Sequence, residues 1–264
     1  MAEPVWLRIP DWPLPEGVHA FLTTRGARAG GDPYGAFNLA QHVGDDPAQV
    51  QARRTELLAE LRTRGRCPAL EIQWLEQVHG TEVVQARHPV SNRPPPRADA
   101  LFTREAGLAC AVMTADCLPV LFCSEDGAEI AVAHAGWRGL LGGVLEQTVA
   151  RFSVPPSQIR AWLGPAIASC HFEVGPEVRE AFLDAAVAST RDAIAAAFQP
   201  GAVQSDGIGR SYLDLYQLAR LRLSGLSSIS GDSDCTVCHP ERWYSYRAAQ
   251  QTGRFATLIF KSRV

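Results

Sequence analysis

The 264-residue chain is 46% apolar and 20% charged with a formal net charge of −3, ordinary values for a soluble globular protein. That charge gives no electrostatic reason to expect nucleic acid or an anionic membrane as a partner. No stretch reaches the roughly 20 apolar residues that a membrane-spanning helix needs.

A chain of this length buries enough surface to need neither a disulfide nor a structural metal for stability. Residues 1–15 are punctuated by proline and lack a basic segment followed by an apolar run, so no secretory signal is expected. Seven cysteines is an odd number, and Cys110 and Cys123 sit in apolar runs where a reduced core thiol is the ordinary reading. These features predict a reducing, cytoplasmic location.

Residues 18–24 read as a strand, followed by a loop of glycine and small residues over 25–34. Over 47–64 the apolar residues Val50, Leu57, Leu58 and Leu61 alternate with charges, which predicts an amphipathic helix opened by Pro47. Residues 72–78 and 81–85 read as strands separated by His79-Gly80. The four prolines of residues 89–97 mark a surface loop rather than a domain linker. The runs 108–114, 118–123 and 130–134 are continuously apolar, so each strand is covered on both faces, which predicts helices packed on the sheet. Residues 139–152 read as the first such helix and 160–163 as a strand. Residues 175–188, 191–198 and 211–223 read as helices, and 256–261 closes the chain as a strand. No internal repeat is visible. A single mixed α/β domain over residues 1–264 is the simplest architecture.

Three metal-binding side chains sit on these strand-like stretches: His79 before Gly80, Cys117 before Leu118-Pro119, and His134 before Ala135-Gly136. Two imidazoles and one thiolate suit zinc, and three protein ligands leave a fourth position for water or substrate. Asp126-Gly127 reads as a two-residue hairpin loop. That loop sets Cys117 opposite Gly136 and Pro119 opposite His134; a one-residue slip sets Cys117 opposite His134. Either register keeps thiol and imidazole within reach of one ion. His79 cannot be placed by spacing. The competing reading has each histidine as a hydrogen-bonded rim residue and Cys117 as a core thiol.

Other motifs compete. Cys235-Thr236-Val237-Cys238-His239 matches the pattern of c-type haem attachment, which the absence of an export signal disfavours; a local structural or site-rim role is expected, with a redox pair or second metal site as the lesser alternative. Two histidines, a cysteine and nearby Met113 resemble a blue-copper ligand set, yet none of the seven histidines forms the His-x-His pairs of multi-copper oxidation. Copper (Cu2+) can bind such donors adventitiously. Gly136-Trp137-Arg138-Gly139 leads into a helix and offers an anion pocket. Arg25, Arg138 and Arg247 are the phosphate-binding candidates.

Motifs throughout the chain resemble the laccase-domain family of purine nucleoside phosphorylases, also named polyphenol oxidases or peptidoglycan editing factors. They include Thr23-Thr24-Arg25-Gly26, Phe37-Asn38-Leu39, Trp74-Leu75-Glu76-Gln77-Val78-His79-Gly80, Thr114-Ala115-Asp116-Cys117-Leu118-Pro119, Ala133-His134-Ala135-Gly136-Trp137-Arg138-Gly139 and Ser245-Tyr246-Arg247. The resemblance implies a mixed α/β domain with Zn2+ on His79, Cys117 and His134. It also implies phosphorolysis of adenosine, inosine and methylthioadenosine to base and sugar 1-phosphate, with adenosine deamination beside it. Ala40 replaces the family's usual glycine, and 230–234 is an altered form of a family loop.

On this reading zinc activates a water for attack on purine C6, and an arginine holds phosphate against the anomeric carbon. Asp116 and Glu76 flank ligands as orienters or proton carriers, unless strand alternation turns Asp116 away. Asn38 and Gln77 are substrate-binding candidates with Arg25 and Arg247. The rivals are copper-dependent phenol oxidation, hydrolytic editing of cell-wall precursors, and a non-catalytic protein whose metal is closed off by Cys238 or His239. Whether the chain pairs with itself as a homodimer is left open.

Overall fold

The computed structural model describes residues 4–27, 32–90, 94–203, 209–231 and 234–262. Its strands are β1 (Leu7–Arg8), β2 (Val18–Thr23), β3 (Glu71–Gln73), β4 (Val83–Gln85), β5 (Ala100–Thr103), β6 (Leu108–Thr114) and β7 (Leu118–Ser124). After these come β8 (Ile130–Ala135), β9 (Ile159–Leu163), β10 (Glu173–Val174), β11 (Phe198–Val203), β12 (Gly209–Leu213), β13 (Ser228–Ser230) and β14 (Phe255–Lys261). The helices are α1 (Pro47–Arg64), α2 (Trp137–Gly142), α3 (Val144–Val149), α4 (Pro176–Asp184), α5 (Arg191–Ala195) and α6 (Leu215–Arg222). None is long and apolar enough to cross a membrane among the described residues.

Two large mixed sheets carry the structure, one ordered β1-β2-β14-β6-β3 and the other β13-β9-β7-β8-β5-β4, with a small sheet β10-β12-β11 beside them. Side-chain alternation along β6 shows how they stack. Leu108, Cys110 and Val112 share a core with Leu121, Cys123, Ile130 and Val132 of the second sheet. Ala109, Ala111 and Met113 instead pack with Leu57 and Leu61 of α1. On the other face of the second sheet, Leu118, Val120 and Phe122 meet Leu140, Leu145 and Leu218 of α2, α3 and α6. The layers therefore run helix, sheet, sheet, helix. The apolar strands are buried on both faces as expected, but one of the two covers is a second sheet and not helices alone.

The β7–β8 hairpin has Leu118 opposite Ala135 and Pro119 opposite His134, so the Asp126-Gly127 register holds and the slipped one is excluded. Gly127 supplies the positive φ of 71° that the loop requires. Four expected elements differ. The strand expected over 72–78 ends at Gln73, after which Glu76 bridges Arg97 and the chain turns toward His79. The helix expected over 139–152 starts at Trp137 and breaks at Gly143, whose φ of 94° suits glycine alone. The expected helix over 211–223 is half strand: β12 pairs with β10 and β11, and only after Asp214 accepts the Gln217 N–H does α6 begin. Likewise Phe198, read as helical, opens β11. Residues 232 and 233 of the altered loop lie outside the described residues.

Candidate active site

His79, Cys117 and His134 converge. Their ligand atoms all lie within 4.8 Å of one another, and His79 Nε2 stands 3.7 Å from Cys117 Sγ. The two imidazole rings meet edge to face with centroids 4.8 Å apart. Nitrogen and sulfur ligands of a tetrahedral zinc ion are separated by about 3.6 Å, given bonds of about 2.05 and 2.3 Å, so the donor set fits zinc in size as well as type.

One carboxylate arranges two of the three ligands. Asp99, directly before β5, lies 2.8 Å from His134 Nδ1, with both side chains almost wholly buried. The backbone N–H groups of Val78, His79 and Gly80 donate to the same carboxylate at 3.2, 2.9 and 2.6 Å. This pairing fixes the His134 tautomer and leaves its Nε2 as the ligand atom. It also holds His79 at a φ of 60°, a left-handed conformation that costs a non-glycine residue about 1–2 kcal/mol. Such strain persists only where surrounding bonds enforce it.

Electrostatics prepare the thiol. Burial alone would raise Cys117, but the His134 charge and hydrogen bonds from His134 and His79 outweigh it and bring the thiol down to about 6. His134 moves the opposite way, to about 9, because the Cys117 thiolate and Asp99 overcome the penalty of burial. Burial opposes ionisation of Asp99 too, yet the His134 bond and charge and the Gly80 and Val78 N–H groups hold it below the usual carboxylate range.

Gly136 walls the centre. A Cβ built there would stand 2.9 Å from Cys117 Sγ and 3.0 Å from His79 Cδ2. Gly136→Ala is therefore expected to force the thiol and imidazole apart and weaken metal binding by these donors at least about tenfold, a misplacement worth about 1.4 kcal/mol, as read by chelator competition.

The three donors open into a cavity of about 940 Å³ that also includes Gln77, Asp116, Arg138 and Arg247 among its lining. Arg138 stacks on the Trp137 ring with its guanidinium carbon 4.3 Å from the centroid. Gln77 spends its amide on the Met113 backbone, donating to the carbonyl and accepting from the N–H, both at 2.8 Å. Asp116, at a φ of 90°, is also committed: Thr236 Oγ1 donates to one of its oxygens and the Arg247 N–H to the other, each at 2.6 Å.

Two expected substrate contacts do not line this cavity. Asn38 is wholly buried; its amide donates to the Ala40 carbonyl and to Asp45, and it accepts from the Arg254 and Ala40 N–H groups. It is a loop brace and lies outside the cavity lining. Arg25 donates to the carbonyls of Pro240 and Asp32 and lies over the Tyr244 ring, likewise away from the cavity lining. The sequence reading overlooked Asp99, although a ligating histidine needs a carboxylate or carbonyl partner. It also overlooked His42, Phe172, Tyr246 and Arg254, which line the cavity from distant segments.

A closed centre finds no support here. Cys238 gathers with Cys170, His171 and Cys235, and His239 faces Asp234 and Arg242. Met113, the axial candidate of the blue-copper reading, lines the same cavity and has its Sδ 3.8 Å from Arg54 Nη2.

A sequence profile described as multi-copper polyphenol oxidoreductase laccase matches residues 19–262. The chain belongs to this family. Among its relatives, a purine nucleoside phosphorylase of Pseudomonas aeruginosa is 44% identical over 97% of this chain and 98% of its own length. The purine nucleoside phosphorylase YfiH of Escherichia coli is 46% identical, covering 96% and 98%. The crystal structure of a Neisseria meningitidis family member, 41% identical, superposes with a TM-score of 0.83 over 98% of this chain and 100% of its own. YlmD from Geobacillus stearothermophilus, 28% identical, gives 0.80 over 94% and 93%. The laccase-family members thus share this mixed α/β fold, and those relatives named for an activity are named as enzymes of nucleoside phosphorolysis.

Proposed function

We propose that residues 1–264 form one catalytic domain, a zinc-dependent purine nucleoside phosphorylase that cleaves adenosine, inosine and methylthioadenosine and also deaminates adenosine, in the cytoplasm. The observation that carries this reading is an Asp99-anchored His79–Cys117–His134 trio at the wall of a cavity that also holds Arg138, Arg247 and Arg254. A donor set open on its cavity side suits catalysis, since a structural site would be closed by a fourth ligand. Zinc bound there supplies Lewis acidity toward the purine side of the substrate and lowers the pKa of water.

The chain's own residues do the rest. Phe172, Tyr246 and Trp137 give the cavity aromatic walls for a purine. Arg138, stiffened by stacking on Trp137, directs paired donors toward phosphate, which must approach the anomeric carbon opposite the leaving base. Asp116 acts as a positioning residue: by holding the Arg247 N–H it sets that arginine at the cavity rim. Arg138→Ala is expected to raise the KM for phosphate about tenfold or more, the worth of one charge-assisted hydrogen bond at about 1.5–3 kcal/mol. Initial rates against phosphate at saturating inosine measure it.

The deciding experiment incubates adenosine, inosine and methylthioadenosine with and without phosphate and follows free base, sugar 1-phosphate and ammonia. Base release that depends on phosphate supports the reading; hydrolysis indifferent to phosphate, or no turnover, refutes it. The family's description favours one rival, copper-dependent phenol oxidation. Copper-loaded protein oxidising phenols faster than zinc-loaded protein cleaves nucleosides would establish that rival. Turnover of a cell-wall precursor by the zinc form, with nucleosides untouched, would establish the editing role instead.

A further inference from the structure

Beyond Asp116 lies a second group of donors, independent of the reading above. The turn after β9 carries Cys170 and His171, and the turn at 235–238 carries Cys235 and Cys238. Their four ligand atoms all lie within 4.8 Å of one another. Cys170 Sγ is 3.6 Å from Cys235 Sγ and 3.7 Å from Cys238 Sγ. His171 Nδ1 is 3.1, 3.7 and 3.5 Å from the sulfurs of Cys170, Cys235 and Cys238.

Around a tetrahedral zinc ion, sulfurs stand about 3.8 Å apart, and sulfur and nitrogen about 3.6 Å apart, given bonds of about 2.3 and 2.05 Å. Five of the six donor–donor separations fall between 3.1 and 3.7 Å and the sixth within 4.8 Å, so the side chains surround a space close to zinc's dimensions. Sulfurs in a disulfide would be about 2.05 Å apart, and all of these cysteines are free. We propose that Cys170, His171, Cys235 and Cys238 form a second zinc site, closed by four protein ligands and structural in role. Three thiolates and one imidazole are a soft donor set that selects zinc over magnesium or calcium. The Ala168 N–H donates to Cys235 Sγ at 3.5 Å, stabilising a thiolate there.

Such an ion staples two segments that build the cavity. Ala166 already bridges Cys235, and the Thr236 N–H donates to the Ala166 carbonyl at 3.1 Å. Arg247 Nη1 reaches back to the carbonyls of His171 and Glu173 at 3.2 and 3.1 Å. The cavity residues Ile167 and Phe172 flank the first turn, and Tyr246 and Arg247 follow the second in the chain. The second ion fixes one wall of the pocket without touching the substrate.

The test is zinc content, by plasma mass spectrometry, of the full chain purified without chelator. Cys238→Ser and Cys170→Ser each replace an exposed ligand, and circular dichroism checks that the variants fold. Each is expected to hold one zinc equivalent fewer than wild type, whereas His79→Ala loses a different equivalent and keeps this one. Failure at the first centre would leave that difference intact, so the two claims are separable. As a second readout, modification of the thiols of native His79→Ala protein with a mercurial should release one zinc. Folded Cys238→Ser and Cys170→Ser proteins with wild-type zinc content would overturn the proposal. So would an unreduced wild-type mass lighter by two hydrogens, which would mark a disulfide.

Discussion

Cys117→Ala is expected to lower kcat/KM for phosphate-dependent base release from inosine by about 1,000-fold or more, with loss of the zinc proposed for the trio. Lewis-acid stabilisation by a bound metal is worth several kcal/mol, and about 4 kcal/mol corresponds to that factor. The variant should fold, because Cys117 lies just before β7 and alanine leaves the Leu118–Ala135 pairing untouched. Steady-state kinetics on folded, zinc-supplemented protein measure the loss. Wild-type turnover would remove the trio from the mechanism.

Asp99 is the second large effect. Asp99→Ala leaves the buried His134 imidazole and three backbone N–H groups without their acceptor, so stability should fall by about 3–5 kcal/mol in denaturant titration. Asp99→Asn keeps the shape, loses the charge, and should weaken zinc binding about 10–100-fold.

A pH dependence accompanies this pair in the metal-free chain. Asp99 sits below its ordinary range, so its contribution is present above about pH 3.9 and disappears as pH falls through its folded value. His134 is raised to about 9, so its contribution is complete below about pH 6.5 and is lost as pH rises through the folded value. Zinc requires His134 unprotonated and Cys117 as thiolate, so protons compete with the metal. With His134 near 9 and Cys117 near 6, zinc affinity should rise about tenfold per pH unit between those values and more steeply below. Chelator competition across that range reads the slope.

Local chemistry determined what could be read from the chain. α1 runs from Pro47 to Arg64 as expected, because the Asp46 cap and Pro47 set its start and Gly65 ends it. The β7–β8 register followed from Asp126-Gly127, and with it the nearness of Cys117 and His134. Residues 211–223 misled because their apolar spacing continues through the Asp214 cap, where pairing with β10 and β11 overrides helical preference. An apolar run such as 108–114 records burial and not what covers it, so the sheet-on-sheet packing was illegible.

The candidate site divides the same way. Donor chemistry singled out His79, Cys117 and His134, but the left-handed turn that delivers His79 depends on a carboxylate 20 residues away in sequence, the Asp99 acceptor of its N–H. Arg25 and Asn38 stand in family-like motifs because they brace loops, and a motif does not separate a brace from a substrate contact. The C-x-x-C pair acquired meaning only when the fold carried Cys170 and His171 to it.

The most direct measurement is anomalous diffraction at the zinc edge from crystals of the full chain grown with zinc. The account predicts a peak within about 2.0–2.4 Å of His79 Nε2, Cys117 Sγ and His134 Nε2, with its fourth corner facing the cavity. An absent peak at that point, or one capped by a fourth side chain, would contradict it.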